Sequence, residues 1–521
     1  MRRRTVWLLV AAGFGALLRA VSAGFLPSLP HDAAVFFLPD ARVLAEHGLL
    51  HWAGLSPANP PLFPVLTALV GKIAPNLEVA AISLSVMSGA LIVWPALSVA
   101  EFLFPGKPDV HGATLCLTVC HPFLIRFASE PVADAMYALM FAHGFRAGLG
   151  FILHPRFGPG VRLGGWVGAG YLLRPEILGL PALATTVVVA ARWLPRASWR
   201  QVAFGMMGVG IAVAPALLCN MVFVHERIGV WTLSPKAGVL VNFEKLDSLN
   251  SLATLNPAKT MTLHEEALSS DRSYQRFSWD EFSEIGWWPR WIAFLRNLSE
   301  FGRYLVESGH PVVFGLAVFG AWCWWGRGSV GTWRNGGIWV VVGTLSSYAF
   351  VLSIFYVSRR FLLPFLPLVV PWAAAGLVHL QAWLGRRWRV PRWCVLGVTL
   401  GVLLAGSVDR LGWIEARWRQ RPEQELGERI RARHGSGQII VSAKGRVTWY
   451  AGGRHLFLPA AGLEDIVAYM RNRGARLLVL EERRRHRNEH LEKALASDPR
   501  WREADVAQGR ETTYRLFELM R

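Results

Sequence analysis

Residues 31–64, HDAAVFFLPDARVLAEHGLLHWAGLSPANPPLFP, follow directly on the first apolar run of the chain and place an acid, Asp32, where that run should leave a bilayer. A carboxylate at a membrane face is held partly out of water, which raises its pKa and makes it a usable proton acceptor. The same residue also reads as the N-cap of a helix that starts at Ala33. What the remaining chain brings to that level decides between the two. Within the stretch, residues 60–74 are apolar but too short to cross a bilayer, and read as a helix lying on or dipping into the interface.

Composition puts the stretch in a membrane setting. Of 521 residues, 53% are hydrophobic and only 17% charged, with mean hydropathy +0.31. Soluble domains carry about a quarter charged residues, so an integral membrane protein with some soluble sequence is implied. The 24 Trp fit that class, since indole rings favour bilayer interfaces. A formal charge of +19 does not point to nucleic acid, because the Arg residues fall in short clusters between apolar runs, as topology signals do. Cys116, Cys120, Cys219, Cys323 and Cys394 all lie in apolar runs and read as packing residues, with no disulfide framework and no zinc spacing.

The N-terminus, MRRRTVWLLVAAGFGALLRAVSAG, reads as an uncleaved first span, with Arg19 interrupting its apolar stretch. A window of about 19 residues gives about eleven candidate spans, near 5–24, 78–102, 111–128, 131–152, 162–174, 176–193, 202–224, 309–326, 337–356, 361–384 and 393–410. With Arg2–Arg4 inside, alternation puts every short basic loop on the cytoplasmic face, from Lys107 through Arg156, Arg192 and Arg327 to Arg386–Arg392. The long segments 25–77, 225–308 and 411–521 then lie outside. SWDEFSEIGWWPRWIAFLRNL, at 278–298, reads as a helix on the membrane surface, its Asp280, Glu281 and Glu284 forming a solvated face.

After Asp409 the texture changes. A helix at 412–434, a strand at 438–443, a helix at 462–474, and strands at 475–481 and 513–519 predict a small α/β domain. The expected architecture is therefore mostly α: a polytopic bundle over 1–410, with outer juxtamembrane helices, and an extracytoplasmic domain over 411–521. No Gly-rich phosphate loop, HExxH, GxSxG or EF-hand pattern and no internal repeat is found.

Ionisable groups at the ends of apolar spans are costly, and each needs a partner or a task. Arg19, Asp32, Arg126, Glu130, Asp134, Arg174, Glu176, His310, Arg359 and Arg360 all fall at one outer level in this topology, although the chain spreads them widely. Glu130 and Asp134 share a helix face in ASEPVADAMY and read either as a site or as helix-start and Arg126 partners. Arg174 and Glu176 equally turn the chain in LLRPEIL, and Arg359 and Arg360 equally snorkel in VSRRFLLPFLP. Cations beside an acid suit a reaction in which a lipid phosphate departs, because the leaving group gains charge as its bond breaks.

Taken in order, these segments resemble the C superfamily of glycosyltransferases, polytopic enzymes that take a sugar from a polyprenyl-phosphate carrier. They are most similar to the bacterial branch akin to protein O-mannosyltransferases and the lipid A aminoarabinose transferase. The likeness is carried by LLRA at 17–20, HDAAVFFLPDARVLAEHGL at 31–49, NPPLFPVLTAL at 59–69, PFLIRFASEPVADAMYAL at 122–139, GAGYLLRPEILGLP at 168–181 and SRRFLLPFLPLVVPWAAAGL at 358–377. The resemblance implies an inverting transferase with Asp32 as general base and Asp134, or Glu130, orienting the acceptor or assisting a metal. It implies Arg359, Arg360, Arg174 and Arg19 as ligands of the donor phosphate. Many relatives carry two adjacent acids in the first loop where this chain has His31 and Asp32, so a divalent cation stays open and no other cofactor is implied. The partners implied are a polyprenyl-phosphate sugar donor and a glycolipid, polysaccharide or protein acceptor. The place implied is the cytoplasmic (inner) membrane, with the N-terminus cytoplasmic and the C-terminal domain extracytoplasmic. A transporter or flippase is the competing class, although inverted repeats and midplane charges are lacking.

Overall fold

The computed structural model describes the chain except residues 1, 26–28, 53–54, 57–58, 181–197, 230, 234–286, 326–342, 351, 354–356, 412–420, 444, 459–462, 484–488, 509–511 and 521. The Asp280, Glu281 and Glu284 face, most of the span expected at 176–193 and half of that at 337–356 lie outside the described residues.

The N-terminal part is a helical bundle. Helix α1 (Arg2–Ala23) is followed by a π-helical turn (Ala33–Phe37), α2 (Leu38–His47), α3 (Leu62–Val70), α4 (Leu77–Leu91), α5 (Val93–Leu103), α6 (Pro108–Cys120), α7 (Pro122–Ser129), α8 (Asp134–Leu153) and α9 (Phe157–Tyr171). Then come a 3₁₀ turn (Pro175–Leu178), α10 (Trp199–Ile228), α11 (Trp287–Gly309), α12 (Pro311–Trp325), a second 3₁₀ turn (Arg359–Phe365), α13 (Leu366–Trp388) and α14 (Arg392–Leu411). Among the described residues five helices are long and apolar enough to cross a membrane, and up to seven spans result if two bent pairs count as one span each. Seven of the about eleven expected spans correspond to these; those expected at 162–174 and 393–410 are helices that fall short of that measure, and those at 176–193 and 337–356 lie in large part outside the described residues. An apolar window reads straight through the 46° break between α6 and α7, whereas the span expected at 309–326 begins at the 100° break between α11 and α12. Imidazoles tie these breaks together: His121 Nε2 lies 3.1 Å from the Gly309 carbonyl, and its Nδ1 accepts the Phe123 amide at 3.3 Å.

Burial separates centre from rim. Helix α13 is almost wholly buried, whereas α1 and α10 leave most of their apolar surface outside, including Trp7, Leu9, Phe14, Phe204, Ile211 and Leu218. Apolar area of that extent is tolerated where lipid replaces water. The helix ends gather at two levels. At one, Arg4 pairs with Glu101 at 2.6 Å, joining the start of α1 to the end of α5, and Arg392 with Asp109 at 3.4 Å, joining the start of α14 to that of α6. At the other lie the π-helical turn, the end of α7, the start of α8, the end of α9 and the start of the second 3₁₀ turn.

Helices α9 and α10 cross closely because Gly160, Gly164 and Gly168 recur every fourth residue on one face. A Cβ at Gly160 would stand 2.1 Å from the Gly205 carbonyl oxygen, and one at Gly164 2.5 Å from that of Val209. The obstruction is backbone and cannot swing aside. Gly164→Leu is therefore expected to destabilise at or above the upper end of the ~1–3 kcal/mol typical of overpacking. Thermal melting in detergent would show it, and an unchanged midpoint would contradict the crossing.

The segment that follows α1 is pinned by an acid that its sequence setting hides. Asp40 is buried in α2 and accepts the Ser56 amide at 2.9 Å. Burial pushes its carboxyl up to about 8, against the opposing pull of that amide and of Arg227. Since the folded value exceeds an unfolded one near ~3.9, its contribution to stability is full below the unfolded value and is lost as pH rises through the folded one. Between about pH 4 and about pH 8 the melting midpoint is expected to fall relative to that of Asp40→Asn, which has no charge to bury, and to level off above that. Parallel melting curves would exclude Asp40 as the titrating group.

The C-terminal part forms α15 (Pro422–His434), β1 (Ile439–Ser442), α16 (Arg446–Tyr450), β2 (Arg454–Phe457), α17 (Leu463–Asn472), β3 (Leu477–Arg483), α18 (Glu489–Ser497), β4 (Trp501–Gln508) and β5 (Thr512–Leu519). The sheet order is β2-β1-β3-β5-β4, with β1 parallel to β2 and β3, and β5 antiparallel to β3 and β4. Two apolar cores cover its faces, one including Ile466, Met470 and Phe517, the other Leu426, Ile430 and Leu516. The expected α/β domain is present. Strands β2 and β4 are additional to the sequence reading: both are sheet edges, and their polar residues mask the alternation.

Candidate active site

Four distant parts of the chain meet at the second level of helix ends. Asp32, at the start of the π-helical turn, forms an ion pair with Arg360 of the 3₁₀ turn before α13. Asp134, the first residue of α8, pairs with Arg174, which stands just before the other 3₁₀ turn. The ring of Phe361 joins the two pairs, with the Arg174 guanidinium 5.2 Å and that of Arg360 5.8 Å from its centroid. Tyr137, one helical turn after Asp134, offers Arg174 a second ring at 5.6 Å. Glu130, between α7 and α8, hydrogen bonds to Arg126 at 3.4 Å and sits close enough to Asp134 and Arg360 to feel both charges.

Local structure explains why the chain delivers these groups. The N-cap reading of Asp32 fails, because its backbone is helical and its side chain makes no cap bond. Its carboxylate is instead committed to Arg360. Pro131 follows Glu130 and halts α7, so the acid projects from the connection and not from a helix face. Pro175 likewise keeps Arg174 extended (φ −154°, ψ 128°). Below the charges lies an aromatic floor: Phe141, Tyr348 and Phe365 form mutual edge contacts, with centroids 5.4, 5.2 and 5.0 Å apart. The Tyr348 hydroxyl donates to the Glu176 carbonyl at 2.6 Å, which anchors the RPE turn.

The electrostatics differ from acid to acid. Asp134 is almost fully buried and its partner Arg174 nearly so, whereas Asp32 and Arg360 are 28% and 35% exposed at the side chain. Asp32 is thus the acid of the two pairs that a second molecule reaches more easily. Burial pushes the Glu130 carboxyl up to about 7, against the nearby Arg126 and Arg360 and reinforced by Asp134.

The other expected phosphate ligands are placed elsewhere. Arg359 turns away to Glu307 of α11 at 2.8 Å and lies 5.4 Å from the Tyr304 ring. Arg19 is wholly buried among α1, α6 and α7, donating to the Gly15 carbonyl at 2.9 Å and toward that of Thr118 at 3.5 Å. As for a metal, no three His, Cys, Asp or Glu among the described residues converge to hold one, and both Asp32 and Asp134 are already neutralised by Arg. The donor set among the described residues does not fit a divalent cation. Phe361 and Tyr137 were invisible as site residues in the sequence, since an aromatic ring in an apolar run carries no contrast.

Neither a family model nor a curated protein matches the chain. Among solved structures the chain is similar to ArnT. The ArnT of Cupriavidus metallidurans bound to undecaprenyl phosphate aligns at 14% identity and TM-score 0.47 over 98% of each chain. The apo form of that ArnT aligns at 15% identity and TM-score 0.47, over 99% of this chain and 98% of that one. The Archaeoglobus fulgidus oligosaccharyltransferase in complex with Zn and sulfate aligns at 12% identity and TM-score 0.49, over 91% of this chain and 68% of that one. Likeness at this level leaves the chemistry to the residues of the site.

Proposed function

We propose that this protein is an inverting glycosyltransferase that moves a sugar from a polyprenyl-phosphate donor to an acceptor at the outer face of the cytoplasmic membrane. The observation that carries the reading is the pair of acid–guanidinium couples meeting around Phe361 at one end of the bundle. Charges so costly to bury are kept at a lipid-facing level when they have a task there.

In this reading Asp32 takes the proton of the acceptor hydroxyl or amine. The freed electron pair attacks the anomeric carbon from the face opposite the phosphate, and the bond from that carbon to the phosphate oxygen breaks. Polyprenyl phosphate leaves with the bonding pair, and the configuration inverts. Arg360 and Arg174 are the cations placed to take up that charge, since a guanidinium fork matches two phosphate oxygens at once. Arg359 and Arg19 remain candidates only if they release Glu307 and the helix carbonyls. Asp134 and Glu130 orient the acceptor. The positive-inside pattern of the sequence supports a reading in which this end of the bundle, and the C-terminal domain with it, lies outside the cytoplasm.

Vesicles containing the purified protein and a labelled polyprenyl-phosphate sugar test the assignment. Free polyprenyl phosphate and an acceptor glycoside of opposite anomeric configuration are the expected products. Movement of label across the bilayer with no glycosidic product would establish a flippase instead.

A further inference from the structure

The element that carries Asp32 is held from two sides. Toward the bundle, Ala33, Ala34 and Phe37 of the π-helical turn are buried, and Phe37 meets Phe63 edge-on at 5.3 Å. On the other side stands the C-terminal domain. A Cβ at Gly445 would lie 2.7 Å from Val35 Cγ2 and 3.5 Å from the Ala34 carbonyl oxygen, so a side chain there would push Val35 out of place. One turn further along, the Arg42 guanidinium of α2 covers the Trp449 ring at 4.1 Å. Trp449 and Tyr450 also pack on the core of the bundle, and Arg421 reaches Glu78 at 3.8 Å. His455 of β2 faces His31, and its Nε2 lies 2.9 Å from the Ser442 carbonyl. Burial pushes the His455 imidazole down to about 4, so the group opposite His31 is neutral at ordinary pH.

A π-helical turn carries an extra residue and persists only where its surroundings impose it. If it relaxed to α-helix, every residue before it would rotate relative to α2, and Asp32 would leave Arg360. The bundle packs one face of the turn, and the second face rests on Gly445.

We propose that the C-terminal domain positions the Asp32 carboxylate by clamping the π-helical turn through Gly445 and Trp449. The proposal builds on the reading of Asp32 as the base, but its structural half can be tested separately. Gly445 and Trp449 are positioning residues that touch neither sugar nor phosphate.

The test uses the full-length protein in vesicles, comparing wild type with Trp449→Ala, Trp449→Phe and Gly445→Val. Amide hydrogen exchange over 33–38 is read together with steady-state transfer. Trp449→Ala and Gly445→Val are expected to speed that exchange about tenfold or more. The same variants should lower kcat about tenfold while KM for the donor stays within about twofold. Trp449→Phe keeps an aromatic face for Arg42 and should behave as wild type. Protection in β3 and α17 reports whether the domain stays folded; where a variant loses it, Arg42→Ala replaces that variant and removes the same contact from the bundle side. Unchanged exchange over 33–38, or faster exchange with kcat intact, would overturn the clamp. If wild type itself forms no product, the base assignment falls, and exchange alone then decides whether the domain holds the turn.

Discussion

Asp32→Asn is expected to lower sugar transfer by about two to four orders of magnitude, the range that a positioned general base contributes, while the protein still folds and still binds polyprenyl phosphate. Asparagine has nearly the same shape and keeps an oxygen that can accept from Arg360, but it cannot take a proton. The stability cost is of a different size. Asp32 and Arg360 are partly exposed, and pairs of that kind contribute about 0–1 kcal/mol. A loss of rate a hundredfold or greater with a small melting shift would thus separate chemistry from folding. Glu130 provides the internal control. Burial pushes its carboxyl up to about 7, which also suits a base at neutral pH. Should Glu130→Gln abolish transfer and Asp32→Asn spare it, the roles of the two acids would be exchanged.

What could be read from the sequence follows from contrast. Asp32, Asp134, Arg174 and Arg360 stood out because each interrupts apolar sequence, and the structure brings these four together around one ring. That ring, Phe361, had no contrast with its neighbours LLPFLP. Asp40 was overlooked for the opposite reason: an acid in the first turn of a polar-looking helix reads as solvated, and only the fold brings Ser56 and Arg227 to it. Spacing could not separate the π-helical turn at 33–37 from ordinary α-helix, since five residues are too few to show a change of period. Hydropathy marked α6 and α7 as one span, although Pro122 keeps His121 extended and breaks the helix there; what the sequence could not show is the Gly309 carbonyl, 188 residues away, that His121 meets at the break. The parallel centre of the C-terminal sheet was legible as apolar runs such as ARLLVLE, and its polar edges were not.

Arg360→Ala is expected to weaken the donor step severely, by about one to two orders of magnitude in kcat/KM, the scale of one charge-assisted contact to a phosphate at ~1.5–3 kcal/mol. Arg360→Lys should recover only part, because an ammonium supplies charge without the planar fork. Arg359→Ala should cost far less: that side chain is 57% exposed and already paired with Glu307, directed away from the Phe361 ring on which Arg360 rests. The contrast between adjacent arginines distinguishes a phosphate ligand from general attraction to an anionic surface, which would weaken both alike. The decisive form is a cycle with Asp32→Asn. If Arg360 holds the departing phosphate while Asp32 takes the proton in the same step, the double variant should be scarcely worse than Asp32→Asn alone, since groups that act as a unit lose their effect together. Losses that multiply through the cycle would mean the two residues serve separate steps, and the ion pair between them would then be a resting contact and not part of the machinery.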